Sequence, residues 1–100
     1  MRVGKISFHP PRQSRFVSNV TVQFCDEYDQ LFITVFDFVI GRSQYGGELY
    51  VAVPSAFWSC YSNGQRKTEM QRSVEFPQDV WREVSREILA AFEQQNGGAL

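Results

Sequence analysis

The sequence predicts a small α+β domain, an antiparallel sheet of four to five strands carrying one C-terminal amphipathic helix. Three observations predict it: two apolar runs joined by a glycine-rich break at the centre of the chain, a cleanly alternating segment ahead of them, and one helix-period stripe near the end. One hundred residues make one domain, read as 1–95 with a flexible tail at 96–100, and suffice to bury a core without disulfide staples. Aromatic residues make up 15% of the chain, nine of them Phe, a large apolar payload for a core of this size.

Val3 to Phe8 reads as a short strand, stopped by Pro10-Pro11, which fix φ and remove two ladder donors. Phe16 to Cys25 alternates, with Phe16, Ser18, Val20, Val22 and Phe24 on one side and Val17, Asn19, Thr21, Gln23 and Cys25 on the other. That pattern is a half-buried strand. Asp26-Glu27-Tyr28-Asp29-Gln30 is a polar hairpin connection into Leu31 to Ile40, where β-branched and aromatic residues dominate. Strict alternation puts Leu31, Ile33, Val35 and Val39 with Asp37 on one face, and Phe32, Thr34, Phe36, Phe38 and Ile40 on the other. Both faces are apolar, so this strand is expected to be central, or closed over by a helix or a partner subunit. Asp37 is expected to be an edge or strand-end carboxylate with solvent access or an arginine partner.

The break Gly41-Arg42-Ser43-Gln44-Tyr45-Gly46-Gly47 supplies glycines where the chain must reverse, and the second run, Leu49 to Val53, ends at Pro54. Beyond Pro54-Ser55, the segment Ala56 to Gln65 contains Asn63-Gly64, the strongest two-residue turn signal in the chain. Arg66 to Phe76 is polar and reads as an edge strand or a crossing loop. Pro77 fits the first turn of a helix, with Asp79 near the positive end of its dipole. Val80, Trp81, Val84, Ile88, Leu89 and Phe92 then form one stripe, and Asn96-Gly97-Gly98 ends the helix. A single helix covers a single sheet face. A homodimer meeting across a two-fold is therefore expected, the alternative being a sheet curled onto its own second face.

The formal charge of −1 excludes a protein whose whole surface attracts nucleic acid, yet the charges are segregated. Met1 to Cys25 holds Arg2, Lys5, Arg12 and Arg15 and no acid; Asp26 to Asp37 holds Asp26, Glu27, Asp29 and Asp37 and no base. Pairing of the two segments would bring these blocks together and cancel part of the field within a Debye length of ~8 Å. Cys25 and Cys60 lack the spacing and partners of a zinc site and are expected as free thiols, so no metal or other cofactor is expected. Met1-Arg2-Val3-Gly4-Lys5 is followed by alternation instead of an apolar block, and no stretch approaches the roughly 20 apolar residues of a membrane span. A cytoplasmic protein away from membranes is expected. An enzyme is not: His9 is the sole histidine, with no nucleophile near it in sequence, and Gly41, Gly46 and Gly47 lie between strands instead of ahead of a helix, where a phosphate loop needs them.

The succession Ile33-Thr34-Val35-Phe36-Asp37-Phe38-Val39-Ile40, a glycine turn, Leu49-Tyr50-Val51-Ala52-Val53-Pro54-Ser55, a turn at Asn63-Gly64 and Phe76-Pro77 opening a helix resembles the SpoVG (septation, stage V sporulation protein G) family over about nine-tenths of the chain. The most specific part is Leu49 to Ser55. The resemblance implies a small dimeric bacterial protein that binds DNA or RNA and modulates transcription, septation or developmental programmes. Where the family tends to carry basic residues directly after Pro-Ser, this chain has Ala56 and Phe57, and its two central loops are longer.

A nucleic-acid surface would then be built from Arg66, Lys67 and Arg72, the nearest bases after Pro54-Ser55, with Ser55 at the strand end, Trp58, Tyr61 or Tyr45 stacking on unpaired bases, and Arg82, with Arg86 one turn on, extending the track. Each has a plainer reading. Arg66, Lys67 and Arg72 interleave with Glu69 and Glu75 as a solvated edge strand would, Arg82 and Arg86 alternate with Glu83 and Glu87 on an ordinary helix face, and Trp58 and Tyr61 suit loop or dimer packing. Two functions follow: a dimeric nucleic-acid-binding regulator whose Arg66, Lys67 and Arg72 share one exposed face, or a protein-interaction module of the same fold that uses its aromatic loops.

Overall fold

The structure, a computed structural model, describes residues 1–97; within its last two strands the side chains of Ala56, Phe57, Trp58, Cys60, Ser62, Glu69 and Met70 fall outside that description. Six strands and one helix follow in order: β1 (Arg2–His9), β2 (Ser18–Cys25), β3 (Leu31–Arg42), β4 (Leu49–Ala52), β5 (Ser55–Ser62), β6 (Gln65–Arg72) and α1 (Gln78–Gly97). β1 to β4 form an antiparallel sheet in sequential order, and β5 with β6 forms a separate two-stranded ribbon. The small α+β fold is as the sequence predicts. Of the tail expected at 96–100, Asn96 and Gly97 belong to the helix and the rest lies outside the described residues.

The core forms where β2 alternates. Val20, Val22 and Phe24 are fully buried, and across from them α1 buries Val84 and Ile88 on its stripe, with Val80, Trp81, Leu89 and Phe92 packed around. The helix touches both β1 and β4, so it spans one face of the sheet from edge to edge. Phe76 locks its entry: the Pro77 carbonyl accepts the Trp81 amide at 2.9 Å, which makes Pro77 the cap and not the first helical residue, and the Phe76 and Trp81 rings stack at 5.6 Å. This is a hydrophobic staple. Phe38 stacks on both rings, at 6.2 and 6.0 Å, and Phe24 meets Phe76 at 5.8 Å, so the staple is also the centre of the core.

β3 departs from strict alternation. Val22 faces Val35 whereas Val20 faces Phe38, so two steps along β2 span three along β3, and Asp37 in the bulge has φ 69°. Carboxylate side chains tolerate that left-handed conformation better than the β-branched residues around it. The bulge moves the strand into the opposite register: Val35, Phe38 and Ile40 all point into the core, and the predicted division of the strand into two fixed faces fails at Asp37. A second shift lies at Phe24/Cys25.

Two consequences bear on function. β4 pairs only with Val39 to Arg42, so β3 from Leu31 to Phe38 has no second neighbour among the described residues, and Leu31, Phe32 and Phe36 there are 61%, 67% and 63% exposed. Among the described residues, nothing covers these side chains of β3. The segregated charges do meet, through ion pairs between Arg2 and Asp29 and between Arg12 and Asp37. No described helix is long and apolar enough to cross a membrane.

Candidate functional site

The β5–β6 ribbon turns at Asn63 and Gly64, whose φ values of 53° and 75° define the primed hairpin turn that Asn-Gly favours. Its register pairs Ser55 with Arg72, Ser59 with Thr68 and Tyr61 with Arg66. Ser59 Oγ and Thr68 Oγ1 lie 3.2 Å apart, and Arg66 Nη2 donates to Ser59 Oγ at 3.4 Å, which fixes these residues on one face. By alternation Tyr61, Ser55 and Arg72 share that face. Lys67 does not. It follows Arg66 directly, so it projects from the opposite face, and the expected single surface of Arg66, Lys67 and Arg72 reduces to two arginines about 20 Å apart along the strand, at about 3.3 Å per residue.

Tyr61 is 79% exposed, directly across from Arg66. Trp58 is opposite Glu69 in the register, and its side chain lies outside the described residues. Arg82 is exposed on α1, an element packed on β1 and β4, and the neighbouring Arg86 is paired with Glu83. The ribbon is tied at its base, where the Ser73 amide donates to the Pro54 carbonyl at 2.7 Å.

A second cluster, built from residues far apart in sequence, lines a basin of about 760 Å³ on the sheet face away from α1. The loop after Pro10-Pro11 is pinned to β2 and β3 by the Arg12 amide donating to Asn19 Oδ1 at 3.2 Å and the Val17 amide donating to the Ile40 carbonyl at 2.8 Å. That loop brings Arg12 and Arg15 to the rim. The β3 bulge presents Asp37 there, its carboxylate accepting from Asn19 Nδ2 and from Arg12 Nη1, each at 3.3 Å. Arg15 lies 4.7 Å over the Phe16 ring, and Arg42 Nη1 donates to the Gly47 carbonyl at 2.8 Å. Asp37 thus meets its expected arginine.

Tyr50 occupies the basin because Gly41, its cross-strand partner, has no side chain: a Cβ there would lie 2.5 Å from the tyrosine Cζ. Tyr45 stands at the rim, 92% exposed, in a loop closed by Ser43, whose carbonyl accepts the Gly47 amide at 2.9 Å and whose Oγ accepts the Tyr45 amide at 3.2 Å. Ser55 also lines the basin and pairs with Arg72, so the basin adjoins the base of the ribbon. Of this cluster, sequence reasoning singled out Ser55 and Tyr45 for binding and missed Arg12, Arg15, Arg42 and Tyr50. The available signals were the base-only block before Cys25 and a glycine able to face an aromatic across a hairpin.

His9 is exposed at the end of β1, with Nε2 3.1 Å from Thr21 Oγ1, and Cys25 is a half-buried free thiol. No three His, Cys, Asp or Glu side chains gather as metal ligands among the described residues. The described residues make a small α+β protein, a four-stranded sheet packed on α1 with a separate two-stranded ribbon. No protein-family model matches the chain, and searches of curated proteins and of solved structures find no match.

Proposed function

We propose that the protein is a dimeric, cytoplasmic nucleic-acid-binding regulator of the SpoVG kind, acting on bacterial gene expression or septation. The observation that carries the binding half of this reading is the Arg66–Tyr61 pair on one face of the ribbon, with Arg72 on the same face. A guanidinium supplies phosphate contacts and an exposed tyrosine supplies a stacking surface for an unpaired base. The net charge of −1 confines any such binding to local clusters. The open edge of β3, with Leu31, Phe32 and Phe36 exposed beside it, supports the dimer, because an unpaired strand edge is a template for a second strand.

Titration of labelled single- and double-stranded oligonucleotides by fluorescence anisotropy at low and high salt tests the reading. Binding that weakens steeply with salt is the expected result, since neutralised phosphates release counterions. No binding at low salt would overturn it. The exposed β3 edge then favours the second reading, a protein-interaction module of the same fold.

A further inference from the structure

We infer that the basin bounded by Arg12, Arg15, Arg42, Tyr45 and Tyr50 is a binding site for one phosphorylated nucleotide unit. The inference rests on the nucleic-acid reading for one of two sources of that unit, a nucleotide within a single strand; the other source is a free mononucleotide.

Charge selects the class of ligand. Three arginines and one carboxylate line the basin, and Asp37 is already engaged by Arg12 and Asn19. Arg15 and Arg42 are held instead by neutral groups, the Phe16 ring and the Gly47 carbonyl, so both keep their full charge for an incoming anion. Guanidinium forks match phosphate oxygens in geometry as well as charge. Size and lining extend the ligand beyond a simple anion. A volume of about 760 Å³ lies in the range of small-molecule and cofactor sites, and two tyrosines offer π-faces beside the cationic rim. A phosphate joined to an aromatic base satisfies both requirements. An unpaired base can enter the recess, whereas a base held in a duplex stack cannot.

The sequence builds the site deliberately at two points. Gly41 leaves the space in which Tyr50 lies, and the left-handed Asp37 moves the only carboxylate of the lining onto Arg12 instead of leaving it free to repel phosphate. Ser55 both lines the basin and pairs with Arg72, so the basin adjoins the base of the ribbon face that carries Arg66 and Tyr61.

Backbone amide chemical shifts of the intact protein, followed by NMR during titration with adenosine monophosphate, adenosine, inorganic phosphate and a single-stranded oligoadenylate, test the site. Adenosine monophosphate should shift the amides of Arg12–Phe16 and Arg42–Tyr50, with adenosine and phosphate each binding about tenfold or more weakly, because each keeps only one half of the contacts. Arg15→Ala/Arg42→Ala should weaken the nucleotide by about tenfold or more, and Tyr45→Ala, at a position too exposed to affect folding, should bring the nucleotide closer to the affinity of phosphate. An oligoadenylate that shifts the same amides identifies a strand as the source. An oligoadenylate confined to Tyr61 and Arg66, with the mononucleotide filling the basin, identifies the free nucleotide. If neither probe shifts the basin amides, the inference is overturned, and shifts on the ribbon alone would leave the nucleic-acid reading standing without it.

Discussion

The four-stranded body and the β5–β6 ribbon are both antiparallel, yet they are specified by different physics. In the body, burial sets the register: a one-residue slip of β2 would carry Val20, Val22 and Phe24 out of the core and Thr21 and Gln23 into it. In the ribbon no described side chain is buried, and the register is set by the Asn63-Gly64 turn at one end and the Ser73–Pro54 hydrogen bond at the other. The difference separates stability from recognition. Residues that hold the body together are unavailable to a ligand, and residues on the ribbon can change with little effect on the fold.

The largest break in that comparison should come from Phe38→Ala, which removes a fully buried ring stacked on both Phe76 and Trp81. A loss of about 3–5 kcal/mol in chemical unfolding is expected, against about 0.5 kcal/mol or less for Tyr61→Ala on the ribbon. Phe76→Ala should follow at about 2–3 kcal/mol, because it removes both the staple onto Trp81 and contacts to Phe24 and Phe38. Asp37→Val should cost about 1–3 kcal/mol, since a β-branched residue is forced to φ 69°, whereas Asp37→Gly relieves that strain and should retain most of the stability; thermal unfolding distinguishes them. Gly64→Val should cost about 1–2 kcal/mol and should do so locally. Hydrogen exchange would then show faster amides in β5 and β6 with the body unchanged, and equal acceleration throughout would contradict the independence of the ribbon.

What the sequence made legible follows the same division. Alternation in β2 and the stripe from Val80 to Phe92 were readable because burial imposes one period over many residues. Asn63-Gly64 was readable because its two backbone conformations are a local property. The Asp37 bulge was not, since only the register of β3 against β2 places an extra residue there. The expectation for Arg66 and Lys67 failed despite an available signal: adjacent residues of a strand face opposite ways. The basin was hidden for a topological reason, as it joins Arg12 and Arg15 to Arg42 and Tyr50 through a loop, a bulge and a glycine contact.

The most direct measurement is the salt dependence of oligonucleotide binding for the wild type, Arg66→Ala/Arg72→Ala and Lys67→Ala, with the unfolding midpoint of each recorded alongside. Loss of two phosphate contacts should flatten the double variant's log–log salt slope by about 1.4, at ~0.7 per contact on a single strand, while its midpoint stays unchanged and Lys67→Ala, on the opposite face, has the smaller effect. An affinity and slope indifferent to Arg66 and Arg72, or more sensitive to Lys67, would contradict recognition by that face of the ribbon.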